Sequence, residues 1–163
     1  MKSKNCENIL SCNYPQRELF KKDGYQIKEC TRCGQRYCAD VARDTEHVRE
    51  VYSDGYFFGG RDSGYPDYLK EKDILINHGR RYAALINKYT NPGSVLDVGA
   101  ACGFLLKGFE MEGWSGIGVE PNRKMAEHGV AHLGINIVNT PLEEFQMDKR
   151  FDLASLVQVI GHF

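Results

Sequence analysis

Residues 94–103, Ser94-Val95-Leu96-Asp97-Val98-Gly99-Ala100-Ala101-Cys102-Gly103, constrain the fold more than any other stretch of the chain. The apolar run at 95–98 is broken only by Asp97, is entered through Asn91-Pro92-Gly93 and ends in a turn of small residues. A short apolar run bounded by turn residues reads as a buried parallel strand. Phe104, Leu105 and Phe109 then follow at the spacing of one helical face. A strand, a glycine turn and a helix start place backbone N–H groups at the carboxyl end of a strand, where open α/β sheets bind their ligands.

The flanking segments fit a sheet of this kind. Tyr68 to Tyr89 reads as a long helix with Pro66 near its start, and Leu75, Tyr82, Leu85, Ile86 and Tyr89 form a stripe expected to pack on the sheet. A second strand runs from Ser115 to Glu120, which lies 23 positions past Asp97. Asn122 to Leu133 reads as a helix closed by Gly134, and Ile135-Asn136-Ile137-Val138 as a short third strand. His128 and His132 share a face of that helix, but no acidic partner follows at metal-site spacing, so they read as a surface pair. A fourth strand spans Phe151 to Val157.

Asp97-x-Gly99-x-Ala101-x-Gly103 resembles the first motif of class I S-adenosylmethionine (SAM) dependent methyltransferases. Gly116-Ile117-Gly118-Val119-Glu120-Pro121-Asn122 is similar to that family's second strand, which ends in a ribose-binding acid. Phe151-Asp152-Leu153-Ala154-Ser155-Leu156-Val157 is similar to its fourth. The resemblance covers residues 70–163 and departs at Ala101, where the family often has glycine; alanine still allows a close backbone approach. It implies an α/β, Rossmann-like sheet with SAM as cofactor. Backbone N–H groups around Gly99, Ala101 and Gly103 would hold the methionine part, with Asp97 organising the turn. Glu120 would hold the ribose, with Pro121 beside it, and Leu142 would make apolar contact with the adenine. Many relatives have a Glu-His pair after the fourth strand; here it is Gly161-His162, and His162 is the candidate general base.

The family sheet has seven strands and this pattern supplies four. The domain therefore reads as truncated after the fourth strand, whose exposed edge invites self-association. The implied activity is methyl transfer to a small-molecule acceptor, a sugar or another metabolite. The alternative is a SAM-binding or zinc-ribbon interaction protein without catalysis. A nicotinamide-dependent dehydrogenase is disfavoured, because an acid leads the glycines and the Gly-x-Gly-x-x-Gly spacing is absent.

Ahead of this domain the cysteines cluster. Cys6, Cys12, Cys30, Cys33 and Cys38 all fall within the first 38 residues. In Cys30-Thr31-Arg32-Cys33-Gly34 a two-residue spacer lets both thiolates reach one ion, and the glycine permits the tight turn that points N–H groups at sulfur. The 17 residues between Cys12 and Cys30 suit paired zinc knuckles. The expected ligands of a closed, structural zinc site are Cys6, Cys12, Cys30 and Cys33, with Cys38 or His47 replacing Cys6 if the first loop is built differently. Metal would solve a size problem, since about forty residues bury too little core to fold alone. The expected organisation is a zinc-ribbon-like module at 1–40, an aromatic and glycine-rich connector at 41–65 and the SAM-binding domain at 66–163. In the connector, the aromatics of Val51-Tyr52-Ser53-Asp54-Gly55-Tyr56-Phe57-Phe58-Gly59-Gly60 form either a lid over substrate or packing against the domain.

Charge and composition narrow the partners. With 21 Lys+Arg against 22 Asp+Glu and no basic stripe, nucleic acid is not an expected partner. No apolar stretch approaches the roughly 20 residues of a membrane-spanning helix. The N-terminus lacks the apolar core of a signal peptide. A cytoplasmic location is therefore expected, where clustered cysteines bind metal more often than they form disulfides.

Overall fold

The computed structural model describes residues 14–22, 24–38, 52–59 and 64–160. The chain divides into two compact units, Met1–Asp44 and Thr45–Phe163.

The first unit carries an antiparallel sheet of β1 (Gln16–Lys22), β2 (Tyr25–Cys30) and β3 (Arg36–Cys38), in the order β1-β2-β3. Glu29 on the middle strand faces Arg17 on one side and Arg36 on the other, at 2.7 and 2.9 Å, and the two guanidiniums hold its carboxyl below the usual range. Both arginines are exposed, so the pairs fix register more than they stabilise. The strands bury little: β1 is exposed at every position but one, and Cys30 is the buried residue of β2. Cys30 and the half-buried Cys33 bracket the turn that leads to β3. The Gly34 N–H closes this turn on the Cys30 carbonyl oxygen at 2.9 Å. Cys6, Cys12 and His47 lie outside the described residues. Among the described residues no group of three metal-capable side chains occurs.

The second unit is a mixed α/β domain on a four-stranded parallel sheet, in the order β6-β5-β4-β7. β4 (Ser94–Val98) is central, between β5 (Ser115–Val119) and β7 (Leu153–Ser155), and β6 (Ile137–Val138) pairs with β5. The sequence pattern makes β4 central: an almost unbroken apolar run suits a strand covered on both faces, and Val95 is fully buried. At its start, the Asp152 carboxylate accepts from both Ser94 N and Ser94 Oγ, at 2.8 and 2.7 Å, which fixes β7 in register. Among the described residues β7 pairs only with β4.

The helices α2 (Lys72–Ile86), α3 (Phe104–Met111) and α4 (Arg123–Leu133) complete the unit, with α1 (Asp54–Phe57) ahead of them. A 3-10 turn, Tyr68–Glu71, leads into α2, so the α-helical span is shorter than the predicted one. α2 crosses α3 backbone to backbone. A Cβ on Gly79 would overlap the Leu105 carbonyl oxygen, and one on Gly108 would overlap that of Ile76. This close crossing corrects the expected stripe. The residues of α2 turned to the core are Ile76, Gly79, Ala83 and Ile86, with Leu75 partly covered. Tyr82, Leu85 and Tyr89 are 41, 52 and 84% exposed, because only small residues fit where two helices approach so closely. On α3 the fully buried leucine is Leu106, with Phe104 and Phe109, and Leu105 is half-buried. Trp114 seals the end of this layer, donating from Nε1 to Asn87 Oδ1 at 2.8 Å.

A second apolar cluster joins the aromatic segment to the domain. Phe57, Tyr68, Ala101, Cys102, Phe104 and Met125 are buried together. Tyr52, Tyr56, Tyr65 and Tyr68 meet edge to face in succession, and Tyr68 stacks on Phe104. Through Phe57, with Tyr52 and Tyr56 beside it, this segment packs against the glycine turn. No helix among the described residues is long and apolar enough to cross a membrane.

Candidate functional site

The turn at 99–103 is built by small residues folding back on β5. Gly99 N and Ala100 N donate to the Val119 carbonyl oxygen at 2.9 and 3.1 Å, and Gly103 N donates to that of Ala100 at 2.8 Å. Gly103 then opens α3 in the left-handed conformation, with φ 76°. There glycine avoids both the strain and the Ile135 methyl that a Cβ would meet.

Ala101 is also left-handed, with φ 49°. A non-glycine residue there costs about 1–2 kcal/mol. Glycine would remove that strain, but it would lose a buried methyl worth about 0.8 kcal/mol and gain about 0.4–1 kcal/mol of unfolded-chain entropy. The terms nearly cancel. The Ala101→Gly variant should therefore unfold within about 0.5 kcal/mol of the parent in urea, whereas Ala101→Val, β-branched at positive φ, should lose about 2 kcal/mol or more.

Two buried acids stand at the carboxyl ends of β4 and β5. Glu120, one residue beyond β5 and 3% exposed, accepts from Ala101 N through Oε2 and from Asn122 N through Oε1, each at 2.7 Å. Asp97 is 2% exposed; the Ser155 hydroxyl of β7 donates to its Oδ1, and Oδ2 has no partner among the described residues. This differs from the expected role of Asp97 at the turn. Glu120, not Asp97, organises the glycine turn, because it leaves the end of its strand on a longer side chain and reaches the turn's N–H. Asp97, inside β4, is held toward β7.

Burial sets the electrostatics. It pushes the Asp97 carboxyl up to about 6, partly offset by the Ser155 hydrogen bond. It pushes Glu120 up to about 7 against the two backbone N–H groups that favour the ionised form, with Asp97 adding a small repulsion. The nearby Cys102 thiol is pushed up to about 12, also by burial, so it is no nucleophile at neutral pH. Tyr68 is likewise pushed up by burial.

The fold brings Asp97, Gly99, Ala101, Gly103, Glu120 and Pro121 to one end of the sheet. Leu142, half-buried, opens a 3-10 turn (Leu142–Glu144) that follows β6. Asn139 ties that loop to the same end: its Nδ2 donates to the Glu120 and Pro121 carbonyl oxygens at 2.8 and 3.0 Å. His162 lies outside the described residues. Sequence reading missed Asn139, Ser155 and Asn122. Only Asn122 left a local signal: a helix N-cap residue two positions past the acid.

The acids fit a cationic, hydroxyl-bearing ligand. The unpartnered Asp97 Oδ2 is a buried acceptor without a donor, and each Glu120 oxygen keeps a lone pair beyond its backbone bond. The turn N–H groups of Gly99, Ala100, Ala101 and Gly103, by contrast, all donate to protein oxygens.

Among solved structures, Streptomyces venezuelae DesVI is 23% identical, covers 55% of this chain and 39% of its own, and superposes with a TM-score of 0.47. The plantazolicin methyltransferase BpumL in complex with SAH is 16% identical, with 66 and 43% covered and a TM-score of 0.44. The glycopeptide N-methyltransferase MtfA is 22% identical, with 52 and 44% covered and a TM-score of 0.41. The chain spans less than half the length of each. No curated protein matches it. The model of a family described as a methyltransferase domain matches residues 74–163. That match takes in α2 from its third residue on, the glycine turn, both buried acids and all four parallel strands, and it covers more than half of the sequence: the chain belongs to the methyltransferase-domain family.

Proposed function

We propose that the second unit binds SAM at the carboxyl ends of β4 and β5, as part of an enzyme that methylates a small-molecule acceptor. The observation that carries this reading is the unpartnered Asp97 carboxylate oxygen, buried beside the glycine turn and close enough to Glu120 to repel it. A buried acceptor of this kind calls for a cationic donor, and the ammonium of the methionine part is one. Glu120 would accept from the ribose hydroxyls on its remaining lone pairs while it holds the turn. Pro121 and Leu142 would supply apolar contact nearby. SAM, when bound, supplies an activated methyl group. The protein's own task is then to align an acceptor with it and to keep water away. A base is needed only for an acceptor protonated at neutral pH, and His162 is the candidate.

The first unit is proposed as a zinc-binding module using Cys6, Cys12, Cys30 and Cys33. In its support, Cys30 is the one buried residue of a sheet whose other strand residues are exposed or half-buried, so packing gives this sheet little stability. Elemental analysis should find close to one zinc per chain, lost in Cys30→Ser; a folded, metal-free chain refutes the module.

Calorimetric titration tests the cofactor reading. SAM and S-adenosylhomocysteine should bind with micromolar affinity and NAD should not. A folded chain that binds neither of the first two overturns the reading.

A further inference from the structure

Asn122 spends every polar atom it has, on three different elements. Its backbone N–H donates to Glu120 Oε1 at 2.7 Å. Its side-chain Oδ1 accepts from Met125 N at 3.0 Å and so caps α4. Its Nδ2 donates to the Tyr52 carbonyl oxygen at 3.0 Å and to Asp54 Oδ1 at 3.3 Å, both about seventy residues earlier in the chain. The other Asp54 oxygen pairs with Nζ of Lys124, the second residue of the same helix, at 2.5 Å. The segment 52–57 is therefore strapped to the N-terminus of α4 by its polar groups. Phe57, on the same strap, is buried with Ala101 and Cys102 of the glycine turn. The strap thus meets the candidate cofactor site twice: through Phe57 on the turn, and through Asn122 on the acid that holds the turn.

We propose that Asn122 is a positioning residue that couples the aromatic strap at 52–57 to Glu120, so that docking of the strap and binding of the cofactor stabilise one another. This rests on the SAM reading above. The reason is geometric. One residue fixes the Glu120 carboxylate through its backbone and the strap through its side chain. A displaced strap frees Nδ2, uncovers the Ala101 and Cys102 side of the turn and loosens the residue that faces Glu120. A bound ligand that fixes Glu120 fixes Asn122 in turn, and the coupling is reciprocal.

The Asn122→Asp variant separates this role from simple helix capping. Aspartate caps a helix as well as asparagine does, and the backbone N–H to Glu120 remains. Only the two Nδ2 donations are lost, and a second carboxylate is set against Asp54. Hydrogen exchange on the ligand-free chain should show protection lost over 52–58 and unchanged over 125–133. Calorimetry should show S-adenosylhomocysteine binding about tenfold weaker. The double variant Asp54→Asn/Asn122→Asp restores a donor–acceptor pair with residue 54 in reversed polarity but leaves the Tyr52 carbonyl oxygen without its donor, so it should recover part of the strap protection and part of the affinity. Unchanged exchange over 52–58 in Asn122→Asp, or affinity within twofold of the parent, overturns the coupling. If exchange changes as expected but the parent itself binds no S-adenosylhomocysteine, the strap's dependence on Asn122 is upheld and the cofactor reading is what fails.

Discussion

Raising the pH from 5 to 8 should destabilise the ligand-free chain by several kcal/mol. Asp97 and Glu120 carry folded-state pKa values of about 6 and about 7, above their ordinary values of 3.8 and 4.5. Between the ordinary and the raised value, the folded state binds a proton that the unfolded chain has released, so stability falls as pH rises. The contribution is complete below about pH 4 and exhausted above about pH 7. At about 1.36 kcal/mol per unit, each acid accounts for on the order of 3 kcal/mol, against total stabilities of about 5–15 kcal/mol. Other shifted groups do not cancel this. Glu29, Asp54 and Asp152 are held low by their hydrogen-bond partners, so they act at acid pH and in the opposite sense. His128 is held low by burial, His132 and Lys72; it adds a slope of opposite sign near pH 6, but it is one partly exposed group. Urea unfolding at several pH values measures the slope. Asp97→Asn should remove about a third of it, since from pH 5 upward Asp97 has about one pH unit left to titrate and Glu120 about two, and saturating SAM, by pairing with the ionised acids, should stabilise more at pH 8 than at pH 5. A flat profile would mean that these carboxyls are not buried as described.

The second large effect concerns Glu120→Ala. SAM affinity should fall more than a hundredfold, and the protein should lose stability as well. Removing the carboxylate orphans Ala101 N and Asn122 N, at about 1–3 kcal/mol for each buried donor. It also relieves the burial of a charge, on the order of 3 kcal/mol above pH 7 and nothing near pH 4. The variant should therefore be closer to the parent at pH 8 than at pH 5, and binding is best compared at pH 8, where both fold. Glu120→Gln keeps one acceptor but turns an NH2 toward a backbone N–H, so it should not rescue the turn. Calorimetric affinity equal to the parent's in Glu120→Ala would remove Glu120 from the site.

Much of this was readable along the chain. The alternation of strand, turn and helix is local: each period, cap and turn residue acts within about four positions. The sequence alone therefore determined the order of the parallel elements along the chain, the glycine turn, the closure of α4 by Gly134, and the end of the sheet at which Asp97 and Glu120 lie. Tertiary structure decided what each of these residues does. Glu120 took the organising role from Asp97 because the pairing of β4 with β5 carries its side chain to the Ala101 N–H, 19 positions away. Ser155 reached Asp97 across 58 positions because β7 docks beside β4. The strap reached Asn122 across 70. The outward stripe of α2 was misread for the same reason: helical spacing shows that residues share a face, but the close crossing at Gly79 and Gly108 decided which face is buried. Periodicity is a property of neighbours in sequence. The register of strands and the approach of helices are properties of the assembled sheet, and only the assembled sheet brings these side chains together.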